Sequence, residues 1–409
     1  MEAKFGGPSG VGGDYPDVVS LDSADPLRHF RDEFVIEPGG PIYLDGNSLG
    51  RLPRRTVVLA EDLVRRQWGE RLIRGWDDDW LRLSQRLSAK IAVLIGASPD
   101  EVALCDSTSV NLFKLASAAV SAQSPRRRIL SDSHNFPSDG YVLGGCGDLQ
   151  TVADPAAAAD ANTALVSLTM TCFRTAENHS IVETTRRVQE SGAWMLWDLS
   201  HSVGAMPIDL HACGAEMAVG CTYKFCNGGP GAPAFLYVRR DIQDRLRSPI
   251  MGWFGHADPF AFSADYEPAP GVLSFLAGTP PVLSTACIEP GLDLLLEAGI
   301  DAIREKSVRL GDYLIEQADL QLAEFGVTVA SPRDSRRRGS HVALQHPDAR
   351  RLTQLLIEEH GVIPDFRTPD LIRFGLAPLY NTFEEVFEAV TRLRLLLSTS
   401  REWLVPRTP

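Results

Sequence analysis

At 409 residues the chain exceeds one ordinary core, and its 44% hydrophobic and 23% charged content suits a globular protein with a large and a smaller domain. A formal net charge of −13 argues against nucleic acid as a partner, because phosphate binding needs a basic face. No apolar run approaches the roughly 20 residues that span a bilayer, and the opening MEAKFGGPSGVGGDYPD lacks the pattern of a signal peptide, so no membrane partner and a cytoplasmic location are expected.

Residues 1–20 read as a flexible leader, and 21–60 as an N-terminal segment packing with the small domain. Within it IYLDGNSLG (42–50) is a short strand followed by a Gly/Asn turn. Two amphipathic helices follow; in the second, Trp80, Leu83, Leu87, Ile91 and Leu94 recur every three or four residues as one apolar stripe. The pattern then alternates: strand 102–105, helix 109–122, strand 128–131, a helix near Asp139, strand 164–169 and a helix over 183–191. Strands over 194–198, 217–221 and 234–238 complete it. Apolar strands separated by helices indicate an α/β fold with a mainly parallel sheet covered on both faces. The texture assigns 61–290 to the large domain and 291–409 to a smaller α+β domain. That tail reads as a long helix (291–323), strands at 326–330 and 341–344, a helix over 349–360, strands at 362–364 and 371–374, and a last helix from Thr382.

The basic clusters Arg126–Arg128 and Arg336–Arg338 lie beside loop residues and read as solvated turns. Seven scattered cysteines form no CxxC pair, and no histidine completes a zinc spacing. Reduced thiols and no metal are expected.

Lysine is scarce. Of 40 basic residues only Lys4, Lys90, Lys114, Lys224 and Lys306 are lysine. Lysine can act as a neutral nucleophile and arginine cannot, so Lys224, in the glycine-rich stretch EMAVGCTYKFCNGGPGAPAFLYV (216–238), invites a chemical explanation. It follows a strand, and in doubly wound sheets ligands gather at the carboxyl ends of strands. A lone lysine there is more often a snorkelling surface cation; its neighbours reverse that reading. Asp198 ends the apolar strand WMLW and can face a protonated ring nitrogen, or simply cap a helix. His201 follows three residues on. Ser107, Thr108 and Ser109 stand where a strand becomes a helix, a natural phosphate site as well as a common N-cap. In HNFPSDGY (134–141), Pro137 fixes a turn that presents Phe136, Ser138 and Asp139, and an aromatic ring there can stack on a planar ligand. The order of these parts, with the lysine 26 residues after the aspartate, matches the aspartate aminotransferase-like, type I fold of pyridoxal-phosphate (PLP) enzymes.

YLDGNSLG (43–50), LIRGW (72–76), STSVNLFKL (107–115), NFPSD (135–139), WDLSHSVGAMPIDL (197–210), CTYKFCNGGPGAPAFLYV (221–238), GWFGH (252–256), AGTPPVLS (277–284) and IRFGLAPLYNTFEEV (372–386) together resemble the kynureninase family over about residues 20–400. The resemblance implies hydrolytic cleavage of the Cβ–Cγ bond of L-kynurenine to anthranilate and L-alanine, in tryptophan catabolism and NAD biosynthesis. It implies PLP bound to Lys224 as an aldimine, with Lys224, Tyr223 and Asp198 catalytic. Thr108, Ser109 and Tyr223 would hold the phosphate; Phe136, Pro137, Ser138, Asp139, Thr169, Asp198 and His201 would surround the ring. Trp253 and Thr279 would reach the cofactor across a homodimer interface. Arg373 would grip the substrate α-carboxylate, with Ser48 and Trp76 lining the aryl pocket. Trp76 and Gly278-Thr279 resemble members that favour kynurenine over 3-hydroxykynurenine. Two rivals remain: a cysteine desulfurase or class V aminotransferase on the same fold, and a non-enzymatic binding protein with a structural Lys224. The last cysteine, Cys287, precedes the small domain, which disfavours a desulfurase.

Overall fold

Val102–Leu104, Thr163–Thr169, Trp194–Asp198, Met217–Gly220 and Phe235–Val238 are buried at every position. Such strands are satisfied only inside a sheet covered on both sides. In the computed structural model, which describes residues 18–399, they join Arg128–Ser131 and Asp148–Thr151 in a seven-stranded sheet. From one edge the order is 102–104, 235–238, 217–220, 194–198, 163–169, 128–131, 148–151. Phe235–Val238 runs antiparallel to both neighbours, and every other pair is parallel. Six strands therefore end on the same edge. The pleat sends Met195 and Trp197 into the core shared with helix Leu81–Leu94, and Trp194 and Leu196 into the core shared with helix Thr108–Ala122. The edge strand Asp148–Thr151 was not expected from the sequence; none of its side chains is fully buried, so it lacks the apolar signal.

A second sheet of four antiparallel strands has the order Asp365–Arg367, Leu371–Gly375, His341–Gln345, Thr328–Val329. Helices Ile300–Leu322, Ala349–His360 and Phe383–Thr399 share a core with it. Val362–Ile363 lies outside this sheet and pairs in parallel with Ile42–Tyr43, while Asp365–Arg367 is a strand the sequence did not announce. The single long helix expected over 291–323 is two, Glu289–Ala298 and Ile300–Leu322. They break at Gly299, whose φ of +78° is readily adopted only by glycine.

The cores do not divide at 290/291. Leu292, Leu294, Leu295 and Ile303 pack in the large core, and the small core begins at Leu310, so one helix serves both. The N-terminal segment is likewise shared: Ile42 and Leu44 join the small core, whereas Leu27, Phe30 and Phe34 join the large one. Of the expected leader, Val18–Ser20 open a short helix, Val18–Ser23; the rest lies outside the described residues. Arg338 is no solvated turn residue. It is buried, paired with Asp312 and donating to the Pro332 carbonyl at 2.8 Å, while Arg336 and Arg337 stay exposed.

Candidate active site

The parallel strands end at a cavity of about 210 Å³. Each wall is built by a local feature of the sequence. Asp106, at φ +48°, turns the chain after Val102–Leu104 so that helix Thr108–Ala122 begins at the cavity. Ser107 Oγ caps that helix, accepting from Val110 N at 3.4 Å, which leaves the Thr108 and Ser109 hydroxyls on the cavity wall. The 134–139 turn is tied to strand Thr163–Thr169: Asn135 Nδ2 donates to the Ser167 carbonyl at 3.0 Å, and Asn135 Oδ1 accepts from Thr169 N. Phe136, Ser138, Asp139 and Thr169 thereby reach the cavity. Pro137 starts the helix Pro137–Cys146 and is outside the lining.

Thr169 and Asp198 stand opposite each other at the ends of adjacent strands. Asp198 Oδ1 accepts from Ser200 N at 2.8 Å, fixing the turn that presents His201. The next strand delivers Tyr223 and Lys224, and Lys224 Nζ lies 2.9 Å from His201 Nε2. Lys224 and Asp198 line one cavity.

Burial dominates the electrostatics of the two carboxylates, and the Lys224 charge opposes it. Burial, followed by the Asp198 charge, pushes Asp139 up to about 8, and burial also raises Asp198. Asp139 Oδ2 has no hydrogen-bond partner among the described residues. Burial, then the charges of Lys224 and Arg373, holds His201 well below the ordinary histidine value, so its ring is neutral. The Cys221 thiol beside it, together with burial, raises Tyr223 and keeps its phenol a donor.

Arg373 is fully buried behind this cavity. It donates to the Phe173 carbonyl, to Ser48 Oγ at 3.1 Å, and to Asp365, which Arg367 also meets at 2.7 Å. Ser48 lines the cavity and Arg373 does not; the guanidinium on the wall is that of Arg367. Trp76, Trp253 and Thr279 are outside the lining too. Trp76 packs edge-on against Trp80 with centroids 5.6 Å apart and lies 6.4 Å from Phe254, which contacts Trp253 at 4.8 Å. Trp253 and Thr279 are exposed.

Sequence reasoning missed Asn47, Phe173, Ser200 and Arg367, which complete the lining, and Asp365 beside them. Asn47 and Ser200 lie inside motifs that were recognised, and Arg367 is six residues before Arg373. Phe173 comes from a loop that carries no pattern.

The strand order, the single antiparallel strand and this site define the aspartate aminotransferase-like, type I fold of PLP enzymes. Solved structures agree on the fold. A cysteine desulfurase from Thermococcus onnurineus NA1 superposes with TM-score 0.77 at 18% identity, covering 93% of this chain and 98% of that one. A C-DES mutant with glycine covalently linked to its PLP cofactor gives 0.77 at 17% identity, over 89% and 98%. The family profile "Kynureninase C-terminal domain" matches residues 303–393. A kynureninase from Pseudomonas fluorescens is 42% identical over 396 residues, 93% of this chain and 95% of that protein, and one from Burkholderia mallei (strain SAVP1) is 42% identical over 405 residues, 95% and 97%. The chain belongs to the kynureninase family. It is an enzyme, a hydrolase acting on a carbon–carbon bond. Its cofactor is PLP, and the residues present fit it: two buried carboxylates, one with an oxygen unpartnered among the described residues, for a cationic ring nitrogen, hydroxyls at a helix start for a phosphate, and an amine for an aldehyde.

Proposed function

We propose that the protein hydrolyses L-kynurenine to anthranilate and L-alanine, with Lys224 as the lysine that holds PLP. The observation that carries this reading is the convergence of Lys224, Asp198 and Asp139 on one cavity at the carboxyl ends of the strands, in a chain 42% identical to kynureninases. Bound PLP supplies an electron sink for the carbanion left when an amino acid loses its Cα proton.

The protein residues do the rest. Asp198, with Asp139 beside it, would keep the ring nitrogen of bound PLP protonated. Thr108, Ser109 and Tyr223 would hold its phosphate, and Phe136, Thr169 and His201 would hold its ring. Lys224 Nζ, 2.9 Å from the neutral His201, removes and returns the proton at Cα. The Tyr223 phenol, kept protonated, donates a proton where bond cleavage leaves negative charge. Arg373 binds the α-carboxylate by charge-assisted hydrogen bonding, and Ser48 and Trp76 border the aryl group. Water adds to the γ-carbonyl, and cleavage of the Cβ–Cγ bond gives anthranilate and alanine.

The same reading makes the working form a homodimer in which Trp253 and Thr279 complete the partner's site. Their exposure in the single chain supports it, as does the neighbouring apolar surface of Trp68 and Leu283, 56% and 43% exposed. Trp76 and Thr279 would favour kynurenine over 3-hydroxykynurenine, in tryptophan catabolism in the cytoplasm. The test is to supply PLP-loaded protein with each substrate and follow anthranilate fluorescence with alanine release. Wild-type turnover of kynurenine, and a Lys224→Ala variant without absorbance of the bound cofactor, are expected. A wild type that releases no anthranilate refutes the reading.

A further inference from the structure

In the small-domain sheet, Arg373 pairs with Ala343 on one side and Asp365 on the other, and His341 pairs with Gly375. Residues two apart on a strand share a face, so Asp365, Arg373 and His341 stand on one face, His341 diagonal to Arg373. Gly375, opposite His341, carries no side chain, and a Cβ there would collide with the Asn47 amide. The His341 ring is fully buried, with its centroid 5.8 Å from that of His201; like Arg373 it lies behind the cavity lining, one layer beyond His201 and Ser48.

This corner holds polar atoms without partners. Among the described residues, neither His201 Nδ1 nor Arg373 Nε has a hydrogen-bond partner, and neither ring nitrogen of His341 has one at ordinary length and angle. Burial, then the charges of Arg373 and Lys224, keep the His341 ring uncharged, outweighing a loose hydrogen bond with the Arg174 backbone that favours charge. The ring is neutral, with one N–H to donate and one nitrogen to accept. Buried polar groups in native proteins nearly always find partners, and a leucine would fill this place without the cost of burying an unpaired imidazole.

The guanidinium of Arg373 is largely engaged. Its terminal nitrogens already donate to the Phe173 carbonyl, Ser48 and Asp365, three of its five N–H groups, and Nε has no partner among the described residues. A carboxylate has about four lone-pair sites, more than the N–H groups that Arg373 has left over, and a further donor beside it can be used. We propose that His341 is a further substrate-site residue, its ring N–H donating to the α-carboxylate that Arg373 Nε also meets. The inference rests on the kynureninase reading and on Arg373 as the carboxylate-binding residue.

The experiment compares His341→Leu and His341→Gln with wild type as PLP-loaded enzymes, by thermal melting and steady-state kinetics on L-kynurenine. Losing one hydrogen bond to a charged group raises KM for the leucine variant ~10-fold or more. Its kcat stays within ~3-fold, since a uniform binding contact is lost, and its Tm is no lower than wild type. Glutamine, which keeps an N–H donor, recovers most of the affinity. Inhibition by L-alanine weakens in the leucine variant, whereas inhibition by anthranilate, which lacks the α-carboxylate, does not. A leucine variant with wild-type KM overturns the inference. So does one that unfolds, or whose kcat falls as far as its KM rises, because the ring is then structural. A wild type inactive on kynurenine overturns the functional reading instead, and is recognised before any variant is made.

Discussion

Gly50 closes the N-terminal motif YLDGNSLG and lies against the loop that carries Lys224. Its N–H donates to the Tyr223 carbonyl at 2.8 Å. Its φ is not in the left-handed region, so alanine can adopt the backbone; only space forbids it. A methyl built there meets the Lys224 carbonyl and Asn227 Oδ1 inside contact distance and stands 2.7 Å from Asn227 Cα. Carbon–carbon contact begins near 3.5 Å, so the loop must retreat by about 0.8 Å. Asn227 is itself bonded to the Lys224 carbonyl through its N–H at 2.9 Å, and Lys224 therefore moves with it. Overpacking of this kind costs ~1–3 kcal/mol of stability, and a misplacement near 1 Å at the reacting groups costs about 10²-fold in rate. Gly50→Ala should thus lower kcat for kynurenine by about two orders of magnitude and depress Tm modestly, with the cofactor absorbance shifted. Gly145→Ala is the control: a Cβ there meets nothing within 4 Å, and alanine inside a helix is favoured by up to about 1 kcal/mol. A Gly50→Ala enzyme with wild-type kcat would refute the packing argument.

Three further outcomes are expected. Lys114 is fully buried, donating to Asp106 and to the Phe275 carbonyl at 2.7 Å each; Lys114→Met should cost ~3–5 kcal/mol in denaturant unfolding. Because Asp106 sets the turn before Thr108 and Ser109, the same variant should weaken binding of PLP more than of pyridoxal, which has no phosphate; equal losses would detach the lysine from the phosphate site. In PLP-free protein Asp139 is raised to about 8, so its stabilising contribution is complete below the unfolded carboxyl value near 4 and is lost as pH rises through 8. Thermal melts of Asp139→Asn should be flatter than wild type between pH 5 and 9 on a scale set by those values, and matching slopes would contradict the assignment. Arg373→Lys keeps the charge but loses the fork, and should raise KM by ~10–100-fold with little change in kcat.

Much of the site was legible because its residues cluster in short motifs whose chemistry is local. Ser107–Ser109, the 134–139 turn, Asp198 and Lys224 each follow a recognisable strand, and the parallel topology sends every such strand end to one edge. The strands buried on both faces declared themselves by unbroken apolar runs. Asp148–Thr151 and Asp365–Arg367 did not, being short and without fully buried positions. The break at Gly299 was hidden by apolar residues that keep helical spacing on both sides of it.

What the amino-acid order determined by itself was the parts: a lysine just past a strand, a carboxylate that ends one, and hydroxyls where a strand becomes a helix. Tertiary structure alone decided their company. It seated Arg373 behind Asp365, brought His341 to His201, and let Gly50 touch the Lys224 loop. The last two of those contacts join residues more than a hundred positions apart, through packing that depends on shape and burial, and neither leaves a periodic trace along the chain.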